Sequence, residues 1–421
     1  MRIGSPVAGE GEPQPLRAVA GRPIRVPMRG RATDEVPRAS TPLELFFDLT
    51  FVVGVARITS QFAHRIADGH GLEAITPFLL VFFAVWWAWM NFTWFASSYD
   101  TDDVPYRLLT LVQMAGVLVL AAGVPAAFNR NDFLGITLGY LIMRTGLIAL
   151  WIRAGIEDPP GRATAFRYAG GIMVLDVAWV LRLVAARNGV VPEASLLPIF
   201  LSLVLLELAV PMWAERKRPT SWHPHHIAER YGLFAILLLG ECMVGASEGV
   251  EAVLEHGGAS VGFASAAVAG LVLLFALWWL YFLEPAGERL ARNREGAWRW
   301  GLGQYGVFAA LAALGAGLEL AVEQTGHLIA VSPFAVGYAI GIPVAAFLVL
   351  LWLTHMPITP RLVIPPWLTL SAAAVILVVP ATAGLVGVTG VLAATATVCV
   401  TVIVVTLAVA SPMTGQPAPR T

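Results

Sequence analysis

The chain has 421 residues, 57% of them hydrophobic and only 13% charged, with a formal net charge of −1. A soluble domain carries about a quarter charged residues, so this composition excludes an ordinary water-soluble fold; the mean hydropathy is +0.72. The near-neutral charge gives no electrostatic footprint for nucleic acid. The two cysteines, Cys242 and Cys399, lie in apolar runs and offer no disulfide framework.

Residues 1–42 are rich in Pro, Gly and Arg, with no apolar core and no small-residue cleavage site. They read as a disordered cytoplasmic tail and not as a signal peptide. Beyond them the chain expects an all-α, polytopic membrane bundle. A spanning helix needs roughly 20 mostly apolar residues, because the bilayer core holds no water to satisfy bare backbone. Such segments fall near 43–62, 74–96, 106–126, 133–153, 167–186 and 194–213. A second set follows near 227–247, 260–283, 299–321, 332–353, 364–383 and 388–410. That makes about twelve transmembrane helices; the last pair, divided around Gly384–Gly390, also suits a re-entrant hairpin.

Lys and Arg accumulate on cytoplasmic loops. The first tail holds seven Arg residues from Arg2 to Arg38, and the even-numbered loops carry Arg162 and Arg167, Arg216 to Arg218, Arg289 to Arg294, and Arg361. The odd-numbered loops are poorer in basic residues, and two of them are acidic. Both termini are therefore expected in the cytoplasm of a plasma-membrane protein, with residues 411–421 as a short cytoplasmic C-terminal tail.

Phe83-Ala-Val-Trp-Trp87 returns as Phe275-Ala-Leu-Trp-Trp279 at an offset of 192, and Tyr106-Arg107 meets Trp298-Arg299 at the same offset. The expectation is two parallel six-helix repeats, 43–223 and 224–410, related by an axis along the membrane normal.

Charged residues inside spans are costly and usually face a cavity or a partner. Glu44 and Asp48, spaced i,i+4, share one face at the start of the first helix. Two close carboxylates can form a proton or cation site, or simply favour a helix N-terminus. Asp100, Asp102 and Asp103, followed by Arg107, make an acidic cluster before the third helix; one Asp suffices for capping, so the others suit ion pairs or a cation. The seventh helix opens with His223, His225, His226, Glu229 and Arg230 and continues to Glu241. The three histidines have the chemistry of a metal site, and equally of pH-sensitive boundary groups. Asp176, Arg144, Arg182, Glu207 and Glu319 complete the intramembrane charges, and opposite charges among them could simply tie helices together. Trp86, Trp87, Trp278 and Trp279 suit interfacial belts and interhelical packing, or an aromatic lining with cation–π character.

In order, Glu44-Leu-Phe-Phe-Asp48, Trp86-Trp87 running into Tyr99-Asp-Thr-Asp-Asp103, His226 to Arg230 continuing to Gly240-Glu241, and Trp278-Trp279 resemble the bacterial low temperature requirement protein A family. The resemblance covers roughly 38–410. It implies an integral membrane protein linked by name to a growth phenotype, and supplies no reaction. A transporter or channel for a small solute or ion, working through Glu44, Asp48, Glu229 and Glu241, is the leading expectation, with a small solute or cation as the possible partner. The alternatives are an intramembrane metal-dependent enzyme built on the histidines, or a stress-linked structural membrane protein. No nucleophile–base motif, Walker loop or dinucleotide fingerprint favours an enzyme, and the sequence requires no cofactor. The expected surroundings are the lipid bilayer.

Overall fold

Sequence-long apolarity leaves the backbone one economical solution, hydrogen bonds closed within each segment, and the computed structural model takes it. It describes residues 24–33, 35, 39–255, 261–359 and 362–410, and regular structure among them is entirely helical. The helices are α1 (Pro42–Ala67), α2 (Gly71–Tyr99), α3 (Val104–Arg130), α4 (Leu134–Glu157), α5 (Arg162–Arg187), α6 (Glu193–Ala214) and α7 (Pro224–Glu255). There follow α8 (Val261–Phe282), the short α9 (Ala286–Arg292), α10 (Ala297–Thr325), α11 (Pro333–His355), α12 (Pro366–Val378) and α13 (Ala383–Ala410).

Among the described residues, nine helical runs are long and apolar enough to cross a membrane, against the twelve expected. The difference has two sources. The last two expected spans form one apolar run, Pro366–Val409, bent where a 3-10 turn at Val379–Thr382 joins α12 to α13 and where Gly387 adopts φ 69°. A glycine carries that left-handed conformation without a Cβ clash. The other source is α1 and α7, long helices that lie outside the apolar set. They carry the charges described below.

Local chemistry sets the helix starts. Thr41 caps α1 reciprocally: its hydroxyl accepts from the Glu44 N–H at 3.3 Å, and the Glu44 carboxylate accepts from the Thr41 N–H at 2.8 Å. Asp103 caps α3, accepting from the Tyr106 N–H at 3.0 Å, with Pro105 in the first turn. Helix α2 is buried along most of its length against α1, α3, α4, α7 and α10, while α5 and α6 are the more exposed helices. Small residues bring α3 and α4 together. A Cβ on Gly116 would sit 2.6 Å from the Gly139 carbonyl oxygen, so only glycine permits this approach. Helices α10 and α11 make a similarly close contact through Gly317 and Ala339.

Of the segment expected to be an unstructured tail, residues 1–23, 34 and 36–38 lie outside the described residues. Residues 24–31 run across the ends of α2, α3 and α4. The Val26 N–H donates to Asp103 at 2.8 Å and the Met28 N–H to Glu157 at 2.6 Å, with the Met28 side chain fully buried. Farther along, the Arg31 N–H donates to the Ser98 carbonyl at 2.9 Å. The C-terminal tail, 411–421, also lies outside the described residues.

Candidate functional site

The i,i+4 spacing of Glu44 and Asp48 places both carboxylates on one face of α1, and the same spacing of His226 and Arg230 does so on α7. The two faces meet. Arg230 donates from Nε to Asp48 Oδ2 at 2.9 Å and from Nη2 to Asp48 Oδ1 at 2.5 Å. Its Nη1 lies 3.1 Å from Glu44 Oε1, and His226 Nε2 lies 3.1 Å from the same oxygen. Trp89 on α2 donates its indole N–H to Asp48 Oδ1 at 2.6 Å. None of the five side chains is more than 1% exposed. Aromatic rings enclose the group: Trp89 stacks on Phe234 at 4.3 Å, and Phe47 packs against Phe92 at 4.0 Å.

A forked guanidinium can bind two carboxylates at once, and a bidentate pair fixes geometry as well as charge. Placed away from water, the pair ties α1 to α7 strongly, because separating it would leave a bare buried charge. His226 adds an imidazole, a group that exists in neutral and protonated forms, in direct contact with Glu44. The cluster therefore combines a fixed cation, two carboxylates and a titratable imidazole at one helix–helix contact.

The other candidates go elsewhere. The three histidines do not converge: His226 faces Glu44, His225 is exposed and lies 4.0 Å from Glu288, and the His223 ring accepts from the His226 backbone N–H at 3.4 Å. Neighbouring helical residues point about 100° apart, so His225 and His226 cannot share one ion. Among the described residues no group of three His, Cys, Asp or Glu side chains is arranged to hold a metal.

The acidic cluster divides its labour. Asp100 accepts from the Asp102 N–H at 2.9 Å, and Asp102 pairs with Arg107 at 2.8 Å. Asp103 caps α3 and receives Arg153 and the Val26 N–H. Burial works against the Asp103 charge, but Arg153 and the Val26 and Tyr106 N–H groups outweigh it and hold the carboxyl at about 2. Glu229 is exposed and accepts from the Ser40 N–H at 3.3 Å, while Glu241 is half-buried farther along α7.

Trp86 and Trp87 are buried in α2, whereas Trp278 and Trp279 are 47% and 48% exposed on α8. Helix α2 is central, whereas α8 packs chiefly on α13, so the two Trp-Trp pairs meet different environments.

A second buried network was visible in the sequence only as separate charges. Arg144 on α4 pairs with Glu207 on α6 at 2.8 Å and approaches Asp176 on α5 at 3.3 Å. Glu207 also accepts from Trp87 and Trp179 at 3.1 Å and from Tyr140 at 3.2 Å. With so many donors it is fully satisfied, and it ties α2, α4, α5 and α6 together. Arg153, Glu157 and Tyr140 were not singled out in the sequence, since their partners lie on other segments of the chain.

These features define a multi-pass helical membrane protein with charged groups sequestered between its helices. The profile of the family described as bacterial low temperature requirement A protein (LtrA) matches residues 39–409. The chain belongs to that family. It is also 28% identical over 285 residues to a Rhizobium meliloti (strain 1021) protein whose recorded name is "Uncharacterized protein RA0937". That match spans 63% of this chain and 63% of the relative.

Proposed function

We propose that this LtrA-family protein is a proton-coupled transporter of a small solute, with the contact between α1 and α7 as its coupling element. The observation that carries the reading is the His226–Glu44 contact at 3.1 Å beside the Arg230–Asp48 pair, all four side chains buried. Such groups cost too much inside a membrane to be common without a role. A proton arriving at or leaving this contact changes the attraction between α1 and α7, which is how charge can bias one helix packing over another.

In this reading α1 and α7 also cross the membrane, giving twelve crossings in two parallel halves with both termini in the cytoplasm of the plasma membrane. Three features support the halves. Glu44 meets His226 and Asp48 meets Arg230 at the same separation of 182 positions. Both helices begin at a proline, Pro42 and Pro224. The close α3–α4 contact has its counterpart in α10–α11. Parallel repeats of this kind place the functional path between the halves.

The Arg144–Glu207–Asp176 network favours a structural role for itself. Its central carboxylate is saturated by hydrogen bonds from three other helices, which suits a fixed brace and not a moving part.

The test is flux. Purified protein reconstituted into liposomes, with its fold verified, is expected to move at least one of a panel of small amines, amino acids, organic acids and alkali cations in a pH-dependent way. No flux of any panel member, and no proton movement, sinks the proposal.

A further inference from the structure

A cavity of about 310 Å³ opens between the ends of α7, α8, α10 and α11, lined among others by Glu229, Tyr281, Glu284, Trp300, Gln304 and His355. That volume lies at the small end of the range for ligand pockets. Its floor is polar and incompletely satisfied. Trp300 is 1% exposed, and its indole N–H has no hydrogen-bond partner. Gln304, one helical turn on and fully buried, meets the Tyr281 hydroxyl with one end of its carboxamide at 3.4 Å, while the other end has no partner. Buried polar groups are nearly always satisfied, and an unmatched donor there costs stability. Two on the same face of one helix, both lining one cavity, point to something that fills it.

His355 adds a third group. Its Nδ1 lies 2.8 Å from the Leu351 carbonyl oxygen, which can only accept, so Nδ1 carries the proton. In the neutral ring Nε2 is then left as an acceptor. Glu284 is committed to Arg289 and to the Val363 N–H, so its charge is already answered. Glu229 stands exposed at the rim, and Tyr281 and Trp300 supply aromatic wall. A carboxylate beside aromatic faces suits an organic cation, and the buried floor suits hydrogen-bonding groups at its other end.

The matching corner of the first half lies between the end of α2, the start of α3 and the end of α4. Residues 24–31 occupy it, with Met28 fully buried. Among the described residues, the chain plugs one such corner and leaves the other open.

We infer that the cavity bounded by Glu229, Trp300, Gln304 and His355 binds a small polar organic amine, its ammonium at Glu229 and its hydroxyl or carbonyl against Trp300 and Gln304. Binding here does not depend on the transport reading, and the test reads binding alone. Titration calorimetry on full-length protein in lipid nanodiscs compares ethanolamine, 4-amino-1-butanol and β-alaninamide with butylamine and potassium ion. At least one of the first three is expected to bind, with butylamine at least fivefold weaker because it cannot satisfy the floor. Trp300→Phe keeps the ring, removes the donor, and is expected to weaken binding about fivefold. Glu229→Gln, at the exposed rim where folding is not at stake, is expected to weaken it about tenfold. Failure of all three polar amines to bind folded protein overturns the inference. So does binding that Glu229→Gln leaves unchanged, or butylamine binding as tightly as its hydroxylated counterpart.

Discussion

Asp48 and Arg230 form a bidentate pair across the α1–α7 contact, 182 positions apart in the chain, and Glu44 and His226 meet at that same separation. A buried charge cluster at this contact holds α1 against α7 and makes their separation sensitive to charge.

Removing one partner is therefore expected to be far worse than removing both. Asp48→Leu or Arg230→Met each leaves an uncompensated buried group and should cost about 3–5 kcal/mol. The double variant Asp48→Leu with Arg230→Met should cost less than the sum of the single changes. Thermal unfolding of detergent-solubilised protein measures all three, and strict additivity would contradict a direct pair.

The brace around Glu207 makes a parallel expectation. Glu207→Ala removes the closer of Arg144's two carboxylate partners and every acceptor for the two indoles, and should lower stability by about 3–5 kcal/mol, while Glu207→Gln keeps one acceptor oxygen and the side-chain volume and should cost less. If both variants melt like the parent protein, the network is not a brace.

Asp103 links the N-terminal segment to α3 and α4. Its carboxyl is held at about 2, below the usual value of 3.8, so its contribution is fully present above about pH 4 and is lost as the pH falls through about 2. Asp103→Asn removes that charge at neutral pH. Tryptic cleavage after Arg25 and Arg29 should then be several-fold faster than in the parent protein. Unchanged cleavage would mean that residues 24–31 are held by other contacts.

Gly116 and Gly139 set the α3–α4 distance. Gly116→Ala places a methyl group against the Gly139 carbonyl and should cost about 1–3 kcal/mol. Gly170→Ala on α5, where nothing lies within 4 Å of a new Cβ, serves as the control and should be neutral or better. A melting comparison of the two variants decides it.

Much of the chain was legible because the bilayer imposes strong rules. Apolar length marks most of the helices, and the i,i+4 spacing of Glu44 with Asp48 was enough to put both on one face. Which face met which was not legible, since nothing in either helix alone says that Arg230 will reach Asp48. The acidic run at 100–103 read as one capping residue with the others suited to ion pairs or a cation, but which partner each carboxylate meets depends on the backbone, with Asp102 reaching Arg107 from a left-handed conformation with φ 48°. The two Trp-Trp segments match in sequence but meet different environments, because burial depends on where a helix sits in the bundle. Residues 24–31 looked like free tail by composition. Their ordering comes from Asp103, Arg153 and Glu157, more than seventy positions away.

The central claim is that the His226–Glu44 contact couples proton movement to a solute. The most direct measurement is solute uptake into liposomes driven by an imposed pH gradient, comparing the parent protein with His226→Gln and Glu44→Gln after confirming that each is folded. Uptake that follows the gradient in the parent, and becomes independent of it in both variants, is the expected result. Uptake equally pH-driven in all three proteins, or absent from the folded parent, would contradict it.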